Sequence, residues 1–160
     1  MQNVCVYPGT FCPPTFGHLE IVKKAAEMFG EVYIICSANP DKEGSVLFSP
    51  EECREMWWSY DLPVGVKIAT LAEFMEKEID FSRVVMVRGV RDDGDFEYEK
   101  KVMMGNNREL GIDKFLVIVS EEKYKNVSST LARKLATAGD GVGLAEIVSN
   151  EVAKKLMERI

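Results

Sequence analysis

The sequence predicts a doubly wound α/β fold, in which about five parallel strands form one sheet with helices on both faces. Short apolar runs alternate along the chain with helix-like patterns, and strands separated by helices pair in parallel through right-handed crossovers. The apolar runs are continuous, as expected when both faces of a sheet are covered. A length of 160 residues suits a single domain that spans residues 1–160.

Five segments are predicted as buried strands because each is a short, mainly apolar run. They are residues 2–7, 31–37, 65–70, 83–87 and 114–119.

The helices are predicted from apolar spacing and from their start signals. Apolar residues recur at helical intervals over 17–29. Ser49 precedes a proline and, three residues further on, a glutamate, a combination that starts a helix. Further helices are predicted over 71–79, 95–110, 128–138 and 149–159.

Composition narrows the function classes. The formal net charge of −6 argues against broad binding of nucleic acid or anionic membranes, although a local basic cluster can still bind a small anion. The N-terminus does not resemble a signal peptide, and no stretch is long and apolar enough to span a membrane. The four cysteines form no Cys-x-x-Cys pair, and Cys5 and Cys36 are expected to be buried thiols. A reduced, cytoplasmic protein is predicted.

The sole histidine lies where this fold places its ligand. In doubly wound sheets, ligands bind beyond the carboxyl ends of the strands, and the stretch from Gly9 to His18 follows the first predicted strand. Gly9 is expected to allow a tight turn, Gly17 to let a ligand approach the backbone, and the helix N-terminus suits a phosphate. We therefore predict that Thr10 and His18 bind phosphate. The alternative is that His18 is only a helix cap or a half-buried ring.

Cationic and hydroxyl groups follow three other strands. Lys42 lies in the loop after the second strand, where a lysine is more often merely solvated. Arg88 and Arg91, at the end of the fourth, suit an anion, or else pair with aspartates within 92–95. Residues 128–130 begin a helix after the fifth strand and suit a triphosphate, or serve as an ordinary cap. Unrelated caps and salt bridges would not be expected to converge on one edge of the sheet.

Three motifs, in this order, resemble the bacterial phosphopantetheine adenylyltransferase family. The stretch YPGTFCPPTFGH carries the T/H-x-G-H pattern of a nucleotidyltransferase superfamily at residues 15–18, and VRGVRDDGDFEYE and NVSSTLAR narrow the resemblance. The resemblance covers essentially the whole chain. It implies a Rossmann-like fold and transfer of the adenylyl group of ATP to 4′-phosphopantetheine, with Mg²⁺ bound with the ATP. It also implies a homo-hexamer.

The resemblance further implies roles for individual residues. It implies catalytic roles for His18, Lys42 and Arg88, with His18 stabilising the transition state. The residues implied to bind ATP are Thr10, Phe11, His18, Gly89, Val90, Arg91, Glu99, Tyr124, Lys125, Asn126, Val127, Ser128, Ser129 and Thr130. Those implied to bind phosphopantetheine are Thr10, Lys42, Arg88 and either Phe74 or Met75, with Asn106 or Asn107 beside the arm. No dedicated protein ligand for the metal is implied.

Two positions depart from the family pattern. Cys12 stands where the family usually has an aspartate that could orient the loop, and a thiol caps a backbone N–H poorly. We expect activity to survive this change and regard Cys12 as a candidate exposed, modifiable thiol. Phe16 replaces a small polar residue.

Three alternatives stay open at this point. A nicotinamide-nucleotide adenylyltransferase or a cytidylyltransferase would share the first motif, but the DFEYE and SST-x-x-R segments argue against both. A nucleotide-binding module without turnover is disfavoured because His18, Lys42 and Arg88 occur together. A flavodoxin-like redox domain would give a flavin-coloured preparation.

Overall fold

The five predicted strands form one parallel sheet in the computed structural model, which describes residues 3–38 and 47–160. The strands are β1 (Val4–Gly9), β2 (Val32–Cys36), β3 (Val66–Thr70), β4 (Val84–Val90) and β5 (Lys114–Val119). They lie in the order β3-β2-β1-β4-β5, and every neighbouring pair is parallel. The order therefore reverses between β1 and β4, which is the switch point where doubly wound folds bind ligands.

Helices lie on both faces of this sheet, so the predicted fold class is confirmed. They are α1 (Phe16–Met28), α2 (Pro50–Trp57), α3 (Leu71–Met75), α4 (Asp93–Leu110), α5 (Ser129–Thr137), α6 (Gly141–Ala145) and α7 (Asn150–Arg159). The start predicted at Ser49 is present, because Ser49 Oγ accepts the Glu52 N–H while the Glu52 carboxylate accepts the Ser49 N–H. The sequence did not predict α6, whose five residues include two glycines and are too few to show a helical period.

The core consists of two apolar layers separated by the sheet. Cys5 and Tyr7 of β1 face the larger layer, which also contains Trp57 of α2. Val6, between them, faces the smaller layer, which contains Phe74. The alternation along a central strand shows why its sequence is apolar throughout.

Two strands extend further than predicted. β1 runs to Gly9, which pairs with Cys36, so Pro8 and Gly9 belong to the strand although this dipeptide resembles a turn. β4 runs to Val90, with Gly89 opposite Ile118 of β5, so Arg88 lies inside a strand. Gly89 is packed closely against α1, because a Cβ there would lie 3.0 Å from Ile21 Cγ1.

Cys5 and Cys36 are fully buried, as predicted. Burial raises the pKa of each thiol to about 12, so both are small apolar side chains at neutral pH. Among the described residues, no helix has the length and apolarity that crossing a membrane requires.

Candidate active site

Two cavities meet at the carboxyl ends of β1 and β4, where the strand order reverses. The first, here called the polar cavity, has a volume of about 340 Å³ and lies between the β1–α1 loop, the end of β4 and the start of α5. The second, here called the apolar cavity, has a volume of about 470 Å³ and lies among α3, α4 and the smaller core layer. The residues that line both are Pro8, Gly9, Thr10, Arg88 and Tyr98.

His18 lines the polar cavity and is oriented by the first turn of α1. The backbone N–H of Thr15, the residue before the helix, donates to His18 Nδ1 at 3.0 Å, and Thr15 Oγ1 accepts the His18 N–H at 3.4 Å. Because a backbone N–H can only donate, Nδ1 is the unprotonated nitrogen, and the neutral imidazole carries its proton on Nε2. His18 does cap the helix. Because its Nδ1 accepts the Thr15 N–H, Nε2 is the nitrogen that can donate to a ligand.

Phe11 shapes the loop between β1 and α1. Its φ of 46° lies in the left-handed region, which a non-glycine residue occupies at a cost of about 1–3 kcal/mol. The Phe11 ring meets the His18 ring edge to face, with centroids 5.1 Å apart. A Cβ on Gly9 would lie 2.7 Å from the Phe11 ring. The turn is therefore made at Phe11 rather than at Gly9, and Gly9 provides the space that the ring occupies.

Arg88 and Glu99 form a largely buried ion pair between the cavities. Arg88 Nε and Nη2 donate to the two carboxylate oxygens of Glu99, and Nη1 donates to the Pro8 carbonyl at 2.7 Å. The Arg88 side chain is 16% exposed and that of Glu99 is 10% exposed. Burial opposes the charge, but the hydrogen bonds and charge of Glu99 outweigh it and raise the pKa of Arg88 above its ordinary value.

Arg91 forms the surface pair that the sequence offered as the alternative to anion binding. Its Nε donates to Asp95 Oδ2 at 2.9 Å, and its backbone N–H donates to the same oxygen. Arg88, in contrast, pairs with Glu99 on α4. Both arginines still line the polar cavity.

The start of α5 also lines the polar cavity. Ser128 is the residue before the helix, and its Oγ accepts the Leu131 N–H at 3.0 Å. Ser129 Oγ donates to the Pro13 carbonyl at 2.7 Å, so its one hydroxyl proton is already used. Arg133 donates to the Cys12 carbonyl and to Thr130 Oγ1. Ser128 is thus a helix cap, and Ser129 ties the helix to the β1–α1 loop. The first backbone N–H groups of α5 are the donors that suit a phosphate.

Most residues predicted for ATP come together around the polar cavity. Those that line it are Thr10, Phe11, His18, Gly89, Arg91, Glu99, Tyr124, Val127, Ser128, Ser129 and Thr130. Three do not line it: Val90 is buried, and Lys125 and Asn126 are exposed. The prediction for Lys42 lies outside the described residues.

Of the two alternatives that the sequence left open for the pantetheine arm, the apolar cavity separates only the asparagines. Phe74 and Met75 both line it. Asn106 lines it as well, whereas Asn107 donates from Nδ2 to the Ile112 carbonyl at 3.0 Å beyond the end of α4. Asn107 is therefore a structural cap, and Asn106 is the asparagine that a ligand in this cavity would meet.

Sequence reasoning missed several lining residues, among them Tyr7, Tyr98 and Ser120. Tyr7 looked like an ordinary core residue of a strand. Ser120 follows β5 directly, and the rule that ligands bind at strand ends would have identified it. Tyr98 lies one residue before Glu99 on α4, and only the packing of α4 on β4 brings it to the site.

Cys12 is buried, with 1% of its surface exposed, so the expectation of an exposed thiol is wrong. Its Sγ accepts the Phe48 N–H at 3.3 Å. A hydrogen bond from the Cys53 thiol, followed by the Phe48 N–H and the charge of Arg133, lowers the pKa of Cys12 to about 7, against the opposing effect of burial. This sulfur therefore caps a backbone N–H, which was the role expected of an aspartate.

Comparisons with known proteins agree with this arrangement. A sequence model of the family described as cytidylyltransferase-like matches residues 6–135. The phosphopantetheine adenylyltransferase of Aquifex aeolicus (strain VF5) is 39% identical, over 99% of this chain and 97% of its own. That of Corynebacterium glutamicum (strain R) is 36% identical, over 97% of each chain. The solved structure of Plasmodium falciparum nicotinic acid mononucleotide adenylyltransferase complexed with NaAD has a TM-score of 0.65 at 16% identity, and covers 99% of this chain and 96% of its own.

The reversed strand order, the helix N-termini at the polar cavity and the match over residues 6–135 define a cytidylyltransferase-like nucleotidyltransferase. The resemblance to the Plasmodium structure supports the fold alone, because the two sequences are only 16% identical. Within this class, the chain belongs to the phosphopantetheine adenylyltransferase family, as its identity to whole-length relatives shows.

Proposed function

We propose that this chain transfers the adenylyl group of ATP to 4′-phosphopantetheine, releasing pyrophosphate and dephospho-coenzyme A. The observation that carries the proposal is that the polar and apolar cavities meet at Thr10 and Arg88. A nucleotide suits the polar cavity, and a long, largely uncharged arm suits the apolar cavity. The acceptor phosphate then lies between them, where it can reach the α-phosphate of ATP.

The reaction needs positioning more than it needs a base. A phosphate oxygen of the acceptor forms a bond to the α-phosphorus while the bond from that phosphorus to the bridging α–β oxygen breaks, and pyrophosphate leaves. Because the attacking group is already an anion, no proton has to be removed from it. Catalysis therefore consists mainly of alignment and of stabilising the charge that develops on the phosphoryl oxygens.

The described residues divide these tasks. His18 donates from Nε2 to an oxygen of the α-phosphate. This hydrogen bond is stronger in the transition state than in the ground state. The N–H groups at the start of α5 bind the β- and γ-phosphates. Arg88 and the Thr10 hydroxyl bind the acceptor phosphate at the boundary between the cavities.

Mg²⁺ is assigned to the ATP phosphates and water. In the part of the chain that the structure describes, no three His, Cys, Asp or Glu side chains are grouped so that they could hold a metal ion. A cavity of this composition fits Mg²⁺ that arrives bound to ATP, because this ion keeps several waters and is often held by substrate phosphates. Bound there, it would neutralise phosphate charge.

Pyrophosphate release tests the proposal. The chain is incubated with MgATP and either 4′-phosphopantetheine, nicotinamide mononucleotide or glycerol 3-phosphate, the last also with CTP. We expect release only with 4′-phosphopantetheine, and a product with the mass of dephospho-coenzyme A. Release with another acceptor, or ATP binding without release, would overturn the proposal.

Two further properties belong to the same proposal. A homo-hexamer is supported by the family to which the chain belongs, and light scattering coupled to gel filtration tests it by giving the mass of the assembly. Action in the cytoplasm is supported by four free cysteines, all of them buried. Fractionation of the native host tests the compartment.

A further inference from the structure

Cys12 and Cys53 form a pair of neighbouring thiols beneath the loop between β1 and α1. Cys12 lies in that loop, Cys53 is the fourth residue of α2, and each is 1% exposed. The Cys53 thiol donates a hydrogen bond to the Cys12 sulfur. The backbone N–H of Phe48, which precedes the N-cap residue of α2, donates to the same sulfur at 3.3 Å. The residue before an N-cap packs beside the fourth residue after it, so the two contacts agree in placing the sulfurs together.

Cys12 is the more acidic thiol of this pair. The hydrogen bond from Cys53 is the largest cause that lowers the pKa of Cys12 to about 7, against the effect of burial. The Phe48 N–H and the charge of Arg133, which donates to the Cys12 carbonyl at 2.7 Å, act in the same direction. Donating that hydrogen bond, together with burial, raises the pKa of Cys53 above its ordinary value. At neutral pH the pair therefore contains a reactive thiolate beside a neutral thiol.

The other two cysteines differ from this pair. Burial raises the pKa of Cys5 and of Cys36 to about 12, so both stay protonated at neutral pH. A protonated thiol does not act as the nucleophile in oxidation or exchange. Cys36 nevertheless lies close enough to Cys53 for its charge to contribute to the raised pKa of Cys53. Cys36 is therefore the competing partner that an experiment has to exclude.

We propose that Cys12 and Cys53 are a modification site, at which hydrogen peroxide joins their sulfurs in a disulfide that links the β1–α1 loop to α2. The Cys12 thiolate attacks one peroxide oxygen, the O–O bond breaks, and hydroxide leaves, so that Cys12 becomes a sulfenic acid. The Cys53 sulfur then attacks the Cys12 sulfur, the S–O bond breaks, and the hydroxyl leaves with the Cys53 proton as water. Two thiols are oxidised and one peroxide is reduced to two waters. The inference goes beyond the proposed function and does not rest on it.

The surroundings of the pair favour the second step. The loop backbone is held in place, because Arg133 donates to the Cys12 carbonyl and Ser129 Oγ donates to the Pro13 carbonyl, both at 2.7 Å. Two sulfurs in hydrogen-bond contact need only a small approach to reach the S–S distance of about 2 Å. Formation of the sulfenic acid also removes the Cys12 thiolate, and with it the main cause that raises the pKa of Cys53. Because both sulfurs are buried, peroxide reaches them through local opening, and we expect the reaction to take minutes to hours.

Mild oxidation of the folded chain tests the proposal. The reduced protein is incubated with hydrogen peroxide, the remaining thiols are blocked in denaturant, and unreduced peptides are mapped by mass spectrometry. We expect a linked pair of peptides that contain Cys12 and Cys53, with Cys5 and Cys36 recovered as blocked thiols. The link closes about forty residues of chain, so the oxidised protein should melt about 5–10 °C above the reduced protein, and dithiothreitol should reverse the change. Peroxide should not raise the melting temperature of Cys53→Ser, whereas the matched control Cys36→Ala should form the link as the parent does.

Several results would overturn the proposal. A link between Cys36 and Cys53, or Cys12 oxidised to a sulfinic acid while Cys53 stays a thiol, would show that the two sulfurs do not pair. A Cys12–Cys53 link that lowers the melting temperature would show that the bond forms only from the unfolded chain. In Cys53→Ser, Cys12 should stop at the sulfenic acid and be trapped by dimedone, and no trapping there would remove Cys12 as the attacking sulfur. The peptide map uses the parent chain alone, so it remains decisive if a variant fails to fold, and no readout depends on turnover.

Discussion

The polar and apolar cavities share a boundary but are built differently. In the polar cavity, each cationic or imidazole group that the structure describes is held by a protein partner: His18 by Thr15, Arg88 by Glu99, and Arg91 by Asp95. The apolar cavity is lined by apolar side chains such as Phe74, which is buried, and Met75, which is about half exposed. Charged groups that are fixed before the ligand arrives do not have to reorganise during the reaction, whereas apolar side chains can adapt to an arm that only needs to be bound.

The arrangement of charged groups around the polar cavity explains how an acidic protein can offer a phosphate site. The formal net charge is −6, yet the groups that face the polar cavity include two arginines and two helix N-termini. The carboxylates beside them, Glu99 and Asp95, are paired with those arginines and orient them. Local geometry therefore outweighs the overall charge at short range.

The largest effect is expected at His18, where the polar cavity supplies a fixed donor. His18→Ala should lower kcat by about 10²–10³-fold, or about 3–4 kcal/mol of transition-state stabilisation, with ATP affinity changed by less than about two-fold. Steady-state kinetics and calorimetric titration of ATP measure the two quantities. Equal losses in kcat and in ATP affinity would show that His18 binds the ground state as strongly as the transition state.

Cys12 tests whether the loop under the polar cavity depends on an ionised sulfur. Its pKa of about 7 lies below the ordinary value of 9.0, so folding favours the thiolate. The stabilisation that the Cys12 thiolate contributes is complete when the pH lies above the ordinary pKa of a thiol, and it is lost as the pH falls through 7. Relative to Cys12→Ser, the parent should gain about 1.5 kcal/mol in free energy of unfolding between about pH 6.5 and 8.5.

Urea denaturation at each pH measures this gain. Cys36→Ala is the matched control, because the pKa of Cys36 is about 12 and the group stays neutral in the folded protein over that range. The free energy of unfolding of Cys36→Ala should change with pH as steeply as that of the parent. Parallel curves for the parent and Cys12→Ser would mean that the loop is held by the neutral thiol.

Met75 tests the other cavity, where a smaller and different effect is expected. Met75→Ala should raise KM for 4′-phosphopantetheine about five-fold, equivalent to about 1 kcal/mol of lost apolar contact, without changing kcat. Met75 is 47% exposed, so stability should change little. Met28→Ala is the matched control, since Met28 is 56% exposed and lines neither cavity. A fall in kcat would mean that the arm helps to align the reacting phosphate.

The same contrast explains what could be predicted from the sequence. The strands and the longer helices were predictable because burial on two faces leaves apolar runs, and because capping pairs such as Ser49 and Glu52 are local signals. The end of β1 was not, because Pro8 and Gly9 resemble a turn although β2 pairs with both. Local sequence patterns predict local structure, whereas β1 continues to Gly9 because its last residues pair with β2.

For the site, sequence order identified the strand-end groups but not their partners. Thr15 and His18 are three residues apart at a helix start, so their bond was within reach of a capping interpretation. Glu99 reaches Arg88 only because α4 packs back on β4, and no local spacing encodes that contact. Cys12 looked exposed because it lies in a loop, while Phe48 and Cys53, some forty residues away, enclose it.

The smallest effects are expected at two neighbouring asparagines, which separate binding from structure within α4. Asn106 lines the apolar cavity, and its Nδ2 donates to the Val102 carbonyl within α4 at 2.9 Å. Asn106→Ala should raise KM for 4′-phosphopantetheine about three-fold, as expected for one neutral hydrogen bond, and should lower stability less than Asn107→Ala, because the Val102 carbonyl lies inside the helix. Asn107 caps the Ile112 carbonyl, so Asn107→Ala should cost about 1 kcal/mol of stability and leave KM unchanged. Kinetics and thermal melts of the two variants, measured side by side, check both expectations. The reverse pattern would place Asn107 against the arm and would mean that α4 turns by about one residue when the acceptor binds.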